Sequence, residues 1–122
     1  MAWSKEQIML DLPGKWETSL LVMKDDRTIA FSFNSLKENR LYIHALFVSS
    51  EFRRKRFATM MINRLKERAT QIGVCGLRLR VSCQDTRAIS FYSSQGFKIV
   101  HTIRINNTNM LCMDLILPKQ VR

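Results

Sequence analysis

Glycine and proline are scarce in this chain, four and two residues in 122, which excludes a collagen-like repeat and a Pro/Gly-rich disordered tract. The three cysteines, Cys75, Cys83 and Cys112, form an odd and sparse set without CxxC spacing. That argues against a disulfide scaffold or a cysteine zinc site and for a reduced compartment. No apolar run reaches the ~18 residues that a membrane-spanning helix needs. The first residues also lack the basic start and apolar stretch of a secretory signal. The expectation is a cytoplasmic chain with no membrane partner. Acid is short as well: ten Asp and Glu stand against twenty Lys and Arg, a formal charge of +10. Such an excess favours anionic partners, whether nucleic acid, an acidic protein or the phosphates of a small ligand, and does not choose among them.

What is present is ordinary for a globular domain, with 46% hydrophobic and 25% charged residues. The length suits one domain and excludes a two-domain enzyme. Ser4 to Leu10 reads as a short amphipathic helix capped by Ser4 and stopped by Pro13 and Gly14. Apolar runs at Trp16–Met23 and Thr28–Phe33 flank Asp25 and Asp26, the pattern of a hairpin, and Leu41–Val48 is a further strand. The period then changes. Phe57, Met61, Leu65, Ala69 and Ile72 recur near spacing four, which predicts an amphipathic helix ended by Gly73. Leu77–Val81 alternates as a strand, and Asp85 or Thr86 caps a second helix through Tyr92 that stops around Gln95-Gly96. Phe97–Ile103 and Met110–Leu117 close the chain as a hairpin. The order is strands, helix, strand, helix, two strands: a mixed-sheet α/β (α+β) fold.

The junction before the long helix carries four consecutive cations, Arg53, Arg54, Lys55 and Arg56. Free backbone N–H groups and the positive end of the helix dipole point to the same place, so cations there imply a compensating anion. A solvated basic turn is the plain alternative. With this element order, Val48, Phe52 to Lys55, Phe57-Ala58 and Leu65 resemble the coenzyme A motif of the GCN5-related N-acetyltransferases, the GNAT family. Arg53 stands at the first motif position and Ala58 at the last. A second family block is matched by Val81, Ala88, Phe91-Tyr92 and Gly96-Phe97.

This resemblance implies a GNAT-like acyl-CoA N-acyltransferase fold in one domain, 1–122, with a truncated N-terminal region: a remnant over 1–15 and a core over 16–117. It implies acetyl-CoA as acyl donor and a primary amine as acceptor, attacked directly. Two parallel strands would splay after Val48 and near Val81, with the pantetheine arm between them. The cofactor-binding set would be Phe47, Val48, Arg53, Arg54, Lys55, Arg56, Phe57, Ala58, Asp85 and Tyr92. An N–H near Val48 would polarise the thioester carbonyl, and Tyr92 would protonate the leaving thiolate. Arg56 stands where the family prefers Gly, and Asp85 where it prefers Asn. The shortened front end would leave the acceptor cleft open or finished by a second subunit in a homodimer, which suits a protein or RNA-associated acceptor.

The Leu41–Val48 strand holds no carboxylate to serve as general base. His44 is its best titratable candidate, with packing as the plain alternative. His101, Glu67 and Asp114 read as surface or hairpin residues, Cys83 as a buried structural cysteine, and Trp3 and Trp16 as core or interface aromatics. Neither histidine sits at metal-ligand spacing from carboxylates, so no metal is expected. Two other readings stand beside the enzyme. One is a GNAT-fold protein without catalysis. The other is a nucleic-acid module using a basic stripe of Arg53 to Arg56, Arg64, Lys66 and Arg68, extended by Arg78 and Arg80.

Overall fold

A computed structural model describes residues 7–11, 19–53 and 56–118. The elements follow in the order β1 (Gln7–Asp11), β2 (Leu20–Lys24), β3 (Arg27–Lys37), β4 (Arg40–Val48), α1 (Phe57–Ile72), β5 (Gly76–Ser82), α2 (Thr86–Ser94), β6 (Lys98–Ile105) and β7 (Thr108–Ile116). All seven strands make one sheet in the order β1-β2-β3-β4-β5-β7-β6. Among the described residues the β4–β5 pair alone is parallel, and α1 crosses between the two strands.

Three tight turns fold this glycine-poor chain without glycine. Asp25-Asp26, Glu38-Asn39 and Asn106-Asn107 each place both central residues at positive φ, between 49° and 64°. This is the turn that matches the twist of hairpin strands, and Asp and Asn tolerate it. Glycine is used where nothing else fits. Gly73 ends α1 at φ 93°, and at Gly76 a Cβ would collide with the carbonyl of Leu115 on β7.

One face of the sheet carries both helices. Leu20, Val22, Ala30, Leu41, Ile43, Leu77, Leu79, Val81, Met113 and Leu115 meet Met61, Ile62, Leu65 and Ala69 of α1, while Ala88, Ile89, Phe91 and Tyr92 of α2 pack on the same core. Alternation along the strands sends Tyr42, Arg78, Arg80, Cys112 and Asp114 to the other face. Among the described residues no helix lies there.

Two expectations change. Gln7–Asp11 is not helical but an edge strand paired antiparallel with β2, from Gln7↔Lys24 to Asp11↔Leu20. A two-turn helix is marginal alone, and main-chain pairing with a neighbouring strand outweighs it. The first hairpin strand pair is also longer than its apolar run, because β3 continues through Ser35 to Lys37. Its polar residues are satisfied inside the fold: buried Asn34 gives its backbone N–H to Ser19 Oγ at 3.1 Å and its side-chain amide to Ser32 Oγ at 3.1 Å. Trp3 and Trp16 lie outside the described residues.

Candidate active site

The site begins at a break in strand pairing. β4 and β5 run in register from Arg40↔Gly76 to Ile43↔Leu79 and pair no further, although β4 continues to Val48 and β5 to Ser82. The cause is visible on the opposite side of β4. Against β3, Phe33 pairs with Ala45 and the next residue, Asn34, with Ile43, so His44 is an extra residue in β4. Such a bulge bends its strand and raises its twist, and here it turns β4 away from β5. The splay therefore starts at Ile43 and Leu79, earlier than the expected Val48 and Val81. A gap of about 320 Å³ results, whose lining includes His44, Leu46, Arg80, Val81, Asp85 and Tyr92.

The N-terminus of α1 opens on a second cavity, next to the gap along β4 and α2. Arg56 is its cap residue at φ 66°, in the left-handed region, with no side-chain cap and no acid in the first turn. Met60 N–H bonds to Arg56 O at 2.9 Å, so the amides of Phe57, Ala58 and Thr59 precede the first intrahelical bond. They face a cavity of about 350 Å³ lined also by Val48, Phe52, Arg53, Arg56 and Phe91. Arg53 Nε donates to Val48 O at 3.2 Å, tying the loop to the end of β4. The positive φ at Arg56 explains a preference for Gly there: the backbone needs a left-handed residue, and Arg adopts it at a steric cost. Arg56 is exposed and helps to line the cavity. Arg54 and Lys55 lie outside the described residues.

Tyr92 reaches the gap from α2, next to Phe91 in the neighbouring cavity. Its ring packs edge-on to Phe91 and Phe97, with centroids at 5.2 and 5.5 Å. Burial, and secondarily the negative charge of Asp85, push its phenol above the ordinary value near 10. Asp85 caps α2, its carboxylate accepting from Ala88 N–H at 3.1 Å. On the β4 side, His44 is exposed, has Nε2 at 2.6 Å from Ser35 Oγ, and stacks on Tyr42 at 4.9 Å. Phe47 is 42% exposed and stacks on Phe31, so it faces the helix-free side rather than the α1 cavity.

A charge cluster that the sequence reading missed anchors this part of the sheet. Asp114, 4% exposed, accepts from Arg78 Nε at 2.6 Å and Nη2 at 2.8 Å and from Arg40 Nε at 3.0 Å. Burial alone would raise its pKa, but the hydrogen bond and charge of Arg78, with the charge of Arg40, hold the carboxyl below its usual range. Asp114 is thus a buried clasp across β4, β5 and β7 rather than a surface residue. The signal was a lone acid inside the apolar run Met110–Leu117. Other residues stand apart from the gap. His101 is exposed on β6, Glu67 pairs with Arg64 at 3.6 Å, and Cys83 is exposed rather than buried. Among the described residues, no three His, Cys, Asp or Glu side chains group to hold a metal ion, and no helix is long and apolar enough to cross a membrane.

The basic stripe does not form as one surface. Arg78 and Arg80 lie on the face opposite α1, Arg78 is taken up by Asp114, and Lys66 donates to Gln95 O at 3.2 Å.

A splayed parallel strand pair beside an uncapped helix start, with a tyrosine on the next helix, is the arrangement that the two motif blocks together pointed to. A family model described as the acetyltransferase (GNAT) family matches residues 3–97. The chain belongs to the GNAT acetyltransferase family. As such it is an acetyl-CoA-dependent N-acetyltransferase, with acetyl-CoA as the acyl donor. No curated protein sequence matches it significantly.

Solved GNAT structures share the fold at low sequence identity. The Ard1 protein of Thermoplasma volcanium superposes with a TM-score of 0.78 at 20% identity, over 86% of this chain and 74% of that one. The ribosomal-protein-S18-alanine N-acetyltransferase of Escherichia coli gives 0.74 at 15% identity, over 98% of this chain and 74% of that one. Arabidopsis thaliana Naa50, in complex with a bisubstrate analogue, gives 0.71 at 24% identity, over 80% and 72% of the two chains.

Proposed function

We propose that this GNAT chain transfers acetyl from acetyl-CoA to a primary amine by direct attack in the gap between β4 and β5. The observation that carries the reading is that one cavity takes in Tyr92 from α2 and His44 from β4, beside the uncapped start of α1. The residues present suit the donor. The α1 amides and the Arg53 and Arg56 side chains offer an anion site for a pyrophosphate, with no acid in the first turn to oppose it. The unpaired edge of β4 beyond Ile43 offers main-chain groups to an extended arm and, near Val48, an N–H for a carbonyl oxygen.

When bound, acetyl-CoA supplies an activated acetyl thioester. The chain's own residues do the rest. His44, held by Ser35 and Tyr42, accepts a proton from the entering amine, directly or through one water. Tyr92 stays protonated at neutral pH because burial disfavours its anion, and it gives its proton to the departing sulfur. The new amide C–N bond replaces the C–S bond, so no covalent enzyme intermediate is needed.

Arg56 supports a working donor site, since its backbone already holds the left-handed conformation that Gly would supply. The same reading takes the chain as a single cytoplasmic domain whose acceptor side admits large amines. The test is acetyl transfer from acetyl-CoA to a panel of amines, followed by release of free thiol, with Tyr92→Phe as the chemical control. Thiol release that depends on amine and on the Tyr92 hydroxyl supports the reading. Amine-independent release, or equal rates in the variant, overturns it.

A further inference from the structure

Arg80 is the first residue of β5 beyond its last pair with β4, as His44 is on the other strand. The two therefore stand on opposite banks of the gap where it opens, and both line it. The neighbouring cations on that face are already committed. Arg40 and Arg78 share Asp114, and Arg78 also reaches Glu38 at 3.2 Å. Arg80 is exposed and meets no carboxylate among the described residues. It lies instead over the Tyr42 ring, its guanidinium carbon 5.6 Å from the centroid. Tyr42 in turn stacks on His44 at an interplanar angle of 19°. Stacking of this kind orients a planar cation without neutralising it. The nearest acid in the gap, Asp85, is engaged with the Ala88 amide. A fork of N–H donors is thus held at the mouth of the cavity, beside the imidazole that the reaction uses.

We infer that Arg80 selects the acceptor: the amine that enters the gap also carries a carboxylate, and Arg80 binds it. This rests on the amine-acetylation reading above. A guanidinium fork matches a carboxylate in shape, and one free cation balances one negative charge. A phosphate dianion would call for a second free cation, but Arg40 and Arg78 are spent on Asp114. The formal charge of +10 works in the same direction, drawing in anionic amines and repelling polyamines.

The experiment compares matched acceptors that differ only in a carboxylate against a carboxamide: free amino acids against their amides, and tripeptides with Asp against Asn or Glu against Gln at the second position. Phosphoethanolamine and spermidine complete the set. The native chain favours the carboxylate member in kcat/KM by about tenfold to a hundredfold, as a charge-assisted pair implies. Arg80→Gln brings that ratio close to one, and Arg80→Lys restores part of it. Amides that react as well as acids, a ratio that survives Arg80→Gln, or a preference for phosphoethanolamine or spermidine overturns the inference. Acetyl-CoA binding is measured in parallel by calorimetry. Binding without turnover of any carboxylate amine overturns the assignment of Arg80 and leaves the donor site standing. Failure to bind acetyl-CoA overturns the underlying reading, and the inference with it.

Discussion

Ile43 and Leu79 form the last parallel pair between β4 and β5, and the residue after Ile43 is the bulge against β3. One extra residue, His44, thus both opens the sheet and stands at the opening. Its backbone role and its proposed side-chain role are separable by substitution. His44→Gln keeps the bulge and a polar group beside Ser35 Oγ but removes the imidazole. The expected result is a fall in kcat of about a hundredfold, within the range for general acid–base groups, with an unchanged dissociation constant for acetyl-CoA. Stopped-flow or steady-state thiol release checks the first, calorimetry the second.

Tyr92 is packed by its ring, and in the proposed mechanism its hydroxyl protonates the departing sulfur. Tyr92→Phe retains the contacts to Phe91 and Phe97, so the thermal midpoint holds while kcat falls by about a hundredfold. The raised pKa of the phenol sets a sign for the pH profile. The proton is present below the unperturbed value near 10 and is lost only above it. No decline of rate from Tyr92 is therefore expected between neutrality and about pH 10.

Arg56 pays a backbone cost at φ 66° that glycine does not. Arg56→Gly is expected to stabilise the fold by about 0.5–1 kcal/mol, the left-handed penalty less the greater freedom of glycine in the unfolded chain. Urea unfolding with an unchanged slope and a higher midpoint is the check. A lower midpoint would mean that the Arg56 side chain stabilises the loop by more than its backbone costs.

Asp114 joins three strands through two arginines. Asp114→Ala leaves both guanidinium groups facing a void, and a loss of about 3–5 kcal/mol is expected. The same clasp makes stability acid-sensitive. Because the folded carboxyl titrates below the unfolded one, its contribution is complete above about pH 4 and is lost as pH falls through the lower folded value. The stability difference between the native chain and the variant should therefore be smaller at pH 3 than at pH 6, as unfolding curves at the two values will show.

The long-period elements were legible in the sequence because their cause is local. The spacing of Phe57, Met61, Leu65 and Ala69 needs only a helix period, and Gly73 and Asp85 mark helix ends by their own chemistry. Of the candidate site, the motif blocks pointed to Tyr92 and to the start of α1. Features set by pairing between distant strands were not. The bulge at His44 exists only relative to β3, the split only relative to β5, and the Asp114 clasp only when Arg40, Arg78 and Asp114 are brought together across 74 positions of chain. The helix expected over Ser4–Leu10 failed for the same reason, since a neighbouring strand decides the state of Gln7–Asp11.

The donor site is tested most directly by calorimetric titration of the native chain and of Ala58→Asp with acetyl-CoA at two salt concentrations. An acid in the first turn of α1 suits the helix dipole, so the variant should fold with stability within about 1 kcal/mol of the native chain. The expected result is one acetyl-CoA per native chain, bound more weakly at higher salt, with affinity lowered at least about tenfold in Ala58→Asp by repulsion and the filled cavity. Absence of saturable binding at low salt, or equal affinity in the two proteins, would contradict a donor site at the start of α1.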